Sequence, residues 1–129
     1  MIGWSLSAVV VISLLAIGVG AFVAPGRASA QYGIVLADPR AHAFIRAMGA
    51  RDFVIGGLLA LMALERAWTM LAWGMYLAAV IALVDLVVVS GDRRLAQPGA
   101  SGAVESARAL HAGGIVGLLI TGTALLAGW

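Results

Sequence analysis

The chain has 129 residues, of which 63% are hydrophobic and 11% charged, with a mean hydropathy of +1.06. Soluble domains carry roughly one-quarter charged residues, so this composition excludes a soluble globular class and defines an integral membrane protein. Without cysteine there is no disulfide, thiolate metal site or cysteine nucleophile; the net charge of +2 comes from arginines alone, scattered without a polybasic tract that would point to nucleic acid or a lipid-surface switch.

At this length one compact bundle of about four spans fits, because a hydrocarbon core about 30 Å thick needs roughly 20 apolar residues per crossing. Residues 1–129 therefore read as a single all-α transmembrane domain. The first span covers about residues 4–24 and is closed by Ala24-Pro25-Gly26, where proline and glycine stop a helix. Ala28-Ser29-Ala30 looks like a signal-peptidase site, but no basic residue precedes Arg27 and the apolar run exceeds the usual length, so a retained helix is expected. Gly18 and Gly20 offer this helix close approach to a neighbour.

A polar connection from Pro25 to Arg40 carries two turn signals, Tyr32-Gly33 and Asp38-Pro39. The uninterrupted apolar part of the second span, Phe53 to Leu64, reaches only about 18 Å at 1.5 Å per residue. That is too short to cross. The helix must extend backwards to give a span of about 41–64, which carries His42, Arg46, Arg51 and Asp52 to the headgroup boundary or below it. Glu65-Arg66 forms a minimal turn, the third span runs over about 67–89 with Asp85 near its far end, a soluble loop follows from Ser90 to about Arg108, and the last span covers about 110–129. An up-down-up-down bundle is the simplest topology.

Arg27, Arg40, Arg93, Arg94 and Arg108 fall on one side of such a bundle and only Arg66 on the other, which puts both termini of this multi-pass cell-membrane protein on the non-cytoplasmic side. Helix rise then carries Arg46, Asp85 and His111 to about one depth in the cytoplasmic leaflet, with Asp52 roughly one and a half turns deeper. Phase agrees: at about 100° per residue, His42, Arg46, Gly49, Asp52 and Gly56 share a stripe, Gly74, Ala78, Ala82 and Asp85 a second, and His111, Gly114, Leu118 and Gly122 a third. Arg51 lies off its stripe, where snorkelling to phosphates or pinning the first helix is expected. Gly113-x-x-x-Gly117-x-x-x-Thr121 is a close-packing pattern suited to the bundle or to a homo-oligomer contact through glycine-rich faces. Trp4, Trp68, Trp73 and Trp129 all fall toward the non-cytoplasmic side, as an interfacial belt does.

The run from Arg46 to Gly56, with its Arg-x-x-Gly-x-Arg-Asp-x-x-x-Gly pattern, resembles the domain-of-unknown-function family four-two-six-seven, small four-helix membrane proteins. Tyr32-Gly33, Asp38-Pro39-Arg40, Asp85 and His111 match further positions of that family, and the likeness covers nearly the whole chain. It implies a four-helix membrane fold and a place to look for a site, with no settled activity.

An ionisable side chain within a transmembrane helix is held by a partner and marks a candidate site. Two carboxylates, an imidazole and guanidiniums at one depth divide acid and base roles. The expected function is a membrane-embedded acid–base enzyme, of isomerase or cyclase type, on a lipophilic small molecule entering from the bilayer. Asp52 serves as buried acid or base, Asp85 as its partner and His111 as the relay to water. Arg46 anchors an anionic or carbonyl oxygen, and Arg51, Tyr32 and His42 complete the candidate ligand contacts. The competing expectation is a non-catalytic scaffold, lipid-binding or accessory subunit whose charged cluster sets helix register. Ion conduction ranks below both because four short helices enclose little lumen. No cofactor is called for, and no metal site is expected, since neither His-x-x-x-His nor Glu-x-x-His spacing occurs.

Overall fold

In hydrocarbon a backbone N–H or C=O finds no water, so each must be bonded within its own segment, and a helix achieves this. The computed structural model describes residues 2–31, 42–91 and 101–128, which are helical apart from short turns. Among the described residues five helices follow in order: α1 (Ile2–Val23), α2 (Pro25–Gln31), α3 (His42–Leu64), α4 (Trp68–Gly91) and α5 (Ser101–Leu126). All but α2 are long and apolar enough to cross a membrane.

Pro25 ends α1, yet a second helix begins at once. The Ala24 N–H still donates to Gly20 O at 2.8 Å, but Pro25 has no N–H with which to continue the ladder. The fixed φ of proline suits the first position of a helix, and Ala24 O accepts from the amides of Arg27 and Ala28 at 3.0 and 2.9 Å. Residues 25–31 are thus helix rather than the start of a polar connection. Ala28 and Ser29 are buried, and Ala28 packs with Ala21 and Ile45, a tertiary contact that no local turn signal reveals. The Tyr32-Gly33 and Asp38-Pro39 signals lie outside the described residues.

A second difference concerns the expected loop from Ser90 to Arg108. Helix α4 continues to Gly91 and α5 already starts at Ser101, so His111 lies ten residues inside its helix rather than opening it. Gly102 costs about 1 kcal/mol relative to alanine in a helix, and the alanine-rich sequence after it offsets that. Buried Ala107, 1% exposed, ties this extension to the bundle.

The α3–α4 turn closes by backbone bonding. Ala67 N–H donates to Met62 O and Arg66 N–H to Ala63 O, the paired bonds of a Schellman helix end. The pivot residue of that motif must be left-handed, and Arg66 occupies it at φ 56° where glycine is the usual choice.

Helix α1 packs chiefly on α3 and α4 on α5, while contact between the two pairs is much thinner. Small residues set this arrangement. A Cβ added to Gly18 would lie 2.7 Å from Phe53 Cβ and 2.8 Å from Gly49 O, and one added to Gly49 would run into Ala21. Further along, Gly56 faces Leu14 and Leu15, so the two helices stay in close contact over about two turns. In the other pair Gly122 lies against Ala72 O and the Tyr76 ring, and the Tyr76 hydroxyl meets Thr123 Oγ1 at 3.0 Å. Gly20, Gly113 and Gly117 face open space within the chain, so the expected close approach falls to Gly18 in α1 and Gly122 in α5. Outward faces carry exposed Val9, Ile12, Phe22, Leu61, Leu77 and Val87, as lipid-facing surfaces do.

Candidate functional site

The thin seam between the two helix pairs is filled at one end by Val11, Leu59, Leu71, Met75, Ala79 and their neighbours. Starting at Ala78 and Leu118 it widens into a cavity of about 120 Å³ bordered by α1, α3, α4 and α5. Leu14 and Ile17 of α1 line it, with Ile55 of α3, Ile81 and Ala82 of α4, and Leu110 and Gly114 of α5. These walls are apolar. Four ionisable side chains complete the lining: Arg51, Asp52, Asp85 and His111.

Arg51 holds the cluster together. Its Nη1 donates to Asp85 Oδ1 at 3.1 Å and its Nη2 to Asp85 Oδ2 at 2.8 Å, a two-point clasp between the planar guanidinium and the planar carboxylate. Nε and Nη2 also donate to Asp52 Oδ1 at 3.1 and 3.0 Å. One cation therefore joins two anions across the α3–α4 seam. The Asp52 and Asp85 side chains are 11% and 16% exposed, against 34% for Arg51, so the carboxylates are the more enclosed partners.

This corrects the expectation that Arg51 turns away to snorkel or to pin α1. Helical phase describes the direction of Cα–Cβ, whereas a long guanidinium side chain curls round the helix to reach charges one residue away and on the next helix. The adjacent Arg-Asp pair in the sequence was the available signal. Asp52 is buried on the stripe with Gly49 and Gly56. Ile45 is fully buried and Arg46 exposed, so the packed face of α3 starts from the isoleucine, and Arg46 does not border the cavity. His42 is half-buried with its Nε2 against Gly26 of α2, away from the cavity lining. Tyr32 lies outside the described residues.

His111 is half-buried and borders the cavity, its Nδ1 2.7 Å from Ala107 O one turn back on α5. Leu110, Gly114 and Ile17, which complete the chamber, carry no polar signal and were not legible as site residues. Among the described residues no group of three His, Cys, Asp or Glu side chains is arranged to hold a metal ion.

Four membrane-length helices, with an ion-bridged cluster facing an apolar cavity between them, define a small multi-pass helical membrane protein. The chain belongs to the family described as Domain of unknown function (DUF4267), whose model matches residues 11–125. Neither the curated proteins nor the solved structures give a match to it.

Proposed function

We propose that this protein binds a lipophilic small molecule from the bilayer in the four-helix cavity and performs acid–base chemistry on it, of isomerase or cyclase type. The observation that carries the reading is the position of the ionic cluster: Arg51, Asp52, Asp85 and His111 all border the same apolar-walled cavity. An ion bridge that only joined helices would gain nothing from an adjoining void. The cavity, of about 120 Å³, is open enough to admit a molecule from outside and is walled mainly by apolar side chains. In this reading Asp52, Asp85 and His111 divide the proton-transfer roles, and Arg51 holds the two carboxylates in place beside the ligand. The arginine distribution supports a cell-membrane protein with both termini on the non-cytoplasmic side.

Mass spectrometry of material extracted with the protein purified in native lipid tests the reading. A lipophilic molecule should accompany the wild type and be depleted in Ala82→Phe, which fills the cavity from α4, and in Gly114→Phe, whose Cβ position is open. Equal retention by both folded variants, or no accompanying molecule, would overturn it.

One observation favours a second reading, a non-catalytic scaffold or accessory subunit. Among the described residues every buried side-chain nitrogen and oxygen has a hydrogen-bond partner, and Arg51 engages both carboxylates, as a structural helix clamp requires. Gly113 and Gly117 would then offer their open face to a second copy. Asp85→Asn separates the two: a folded variant that retains the ligand but loses the host phenotype supports chemistry, whereas failure to accumulate in the membrane supports the clamp.

A further inference from the structure

The hydrogen-bonding character of the cavity's polar end narrows what it accepts. A backbone carbonyl has only lone pairs, so the 2.7 Å contact between His111 Nδ1 and Ala107 O requires the proton on Nδ1. In the neutral ring Nε2 then carries a lone pair, on the side of the imidazole turned away from that carbonyl. No side chain among the described residues bonds to Nε2. Asp85 adds further acceptors, since a charged carboxylate has about four lone-pair sites and Arg51 uses two of them. Four of the five guanidinium N–H groups are spent on Asp52 and Asp85. Acceptors thus outnumber available donors around the cavity, and a ligand must bring the donor. With a single guanidinium N–H left over, a donor group suits this end of the cavity better than a further acceptor. The volume, about 120 Å³, is near the roughly 150 Å³ of an apolar cavity that holds benzene.

We infer that the cavity takes a small lipophilic hydroxyl compound, with an apolar body about the size of a benzene ring and its O–H donated to His111 Nε2. The inference rests on the ligand-binding reading above and assigns that ligand its chemical class. It also gives His111 the part of proton acceptor at the ligand, a more direct role than a relay to water.

Fluorine NMR titration of the full chain in lipid nanodiscs, with 4-fluorophenol, fluorobenzene and 4-fluorobenzaldehyde as probes, tests this against the cavity-filled Ala82→Phe variant as the partitioning blank. The expected result is 4-fluorophenol bound at least about tenfold tighter than either other probe. In His111→Phe that preference should fall to about unity while fluorobenzene binding persists. Independently of any variant, nitrogen-15 spectra of the histidine-labelled wild type should show neutral His111 protonated at Nδ1 and its Nε2 signal moving on addition of 4-fluorophenol. Equal affinity for the three probes, a preference that survives in His111→Phe, or a neutral ring protonated at Nε2 would each overturn the donor inference and leave the cavity reading standing. No binding of any probe above the blank would overturn both.

Discussion

Breaking the clasp between Arg51 and Asp85 gives the sharpest test of how the seam is held. Exposed ion pairs contribute about 0.2–1 kcal/mol, and removing one member of a fully buried pair costs about 3–5 kcal/mol. With side chains 34% and 16% exposed and two near-parallel bonds at 3.1 and 2.8 Å, this pair lies between those limits. Arg51→Met should cost about 3 kcal/mol, because it strands an enclosed carboxylate, and Asp85→Asn about 2 kcal/mol, because an amide keeps one weaker acceptor. In the double variant each loss partly contains the other, so the total should fall short of the sum by about 1.5–2 kcal/mol. SDS-driven unfolding in mixed micelles, followed by circular dichroism, measures all four corners of this cycle. Arg51→Lys adds a control: it keeps the charge without the planar fork and should lose about half as much as Arg51→Met. Additivity within about 0.5 kcal/mol would refute the claim that the two residues stabilise the seam through each other.

The same unfolding assay reads three further expectations. Gly49→Val should destabilise by about 2 kcal/mol or more, because its Cβ would meet Ala21, whereas Gly113→Val, with open space around it, should change stability by less than about 0.5 kcal/mol. Arg66→Gly should stabilise by about 1 kcal/mol by relieving the left-handed backbone at φ 56°. Tyr76→Phe should lose about 0.6 kcal/mol with the 3.0 Å bond to Thr123. Topology is testable because the native chain has no cysteine: single cysteines at Ser5 and Glu65 should both react with an impermeant maleimide added outside intact cells, and reaction of either only after lysis would reverse the orientation.

Composition and run length alone were enough to establish four membrane-length helices, because a bilayer leaves the backbone no other open-chain solution and imposes a minimum length on each crossing. The backward extension of α3 followed from that length argument, and the small residues on its packed face were readable because only glycine-scale side chains let α1 and α3 touch. Asp52, Asp85 and His111 were legible as candidates because a charge or an imidazole in an apolar run stands out against its neighbours. Local signals failed where tertiary contact competes with them. Pro25 read as a break and the stretch from Ser90 to about Arg108 as a loop, yet Ala28 and Ala107 find buried places in segments that are helical. Periodicity also missed the central part of Arg51, since it reports where a side chain leaves the helix and not where a long one ends. Only the packed structure decides that one guanidinium joins two carboxylates and that two tight helix pairs leave a cavity beside it. Both are products of distance across helices, which a one-dimensional pattern does not contain.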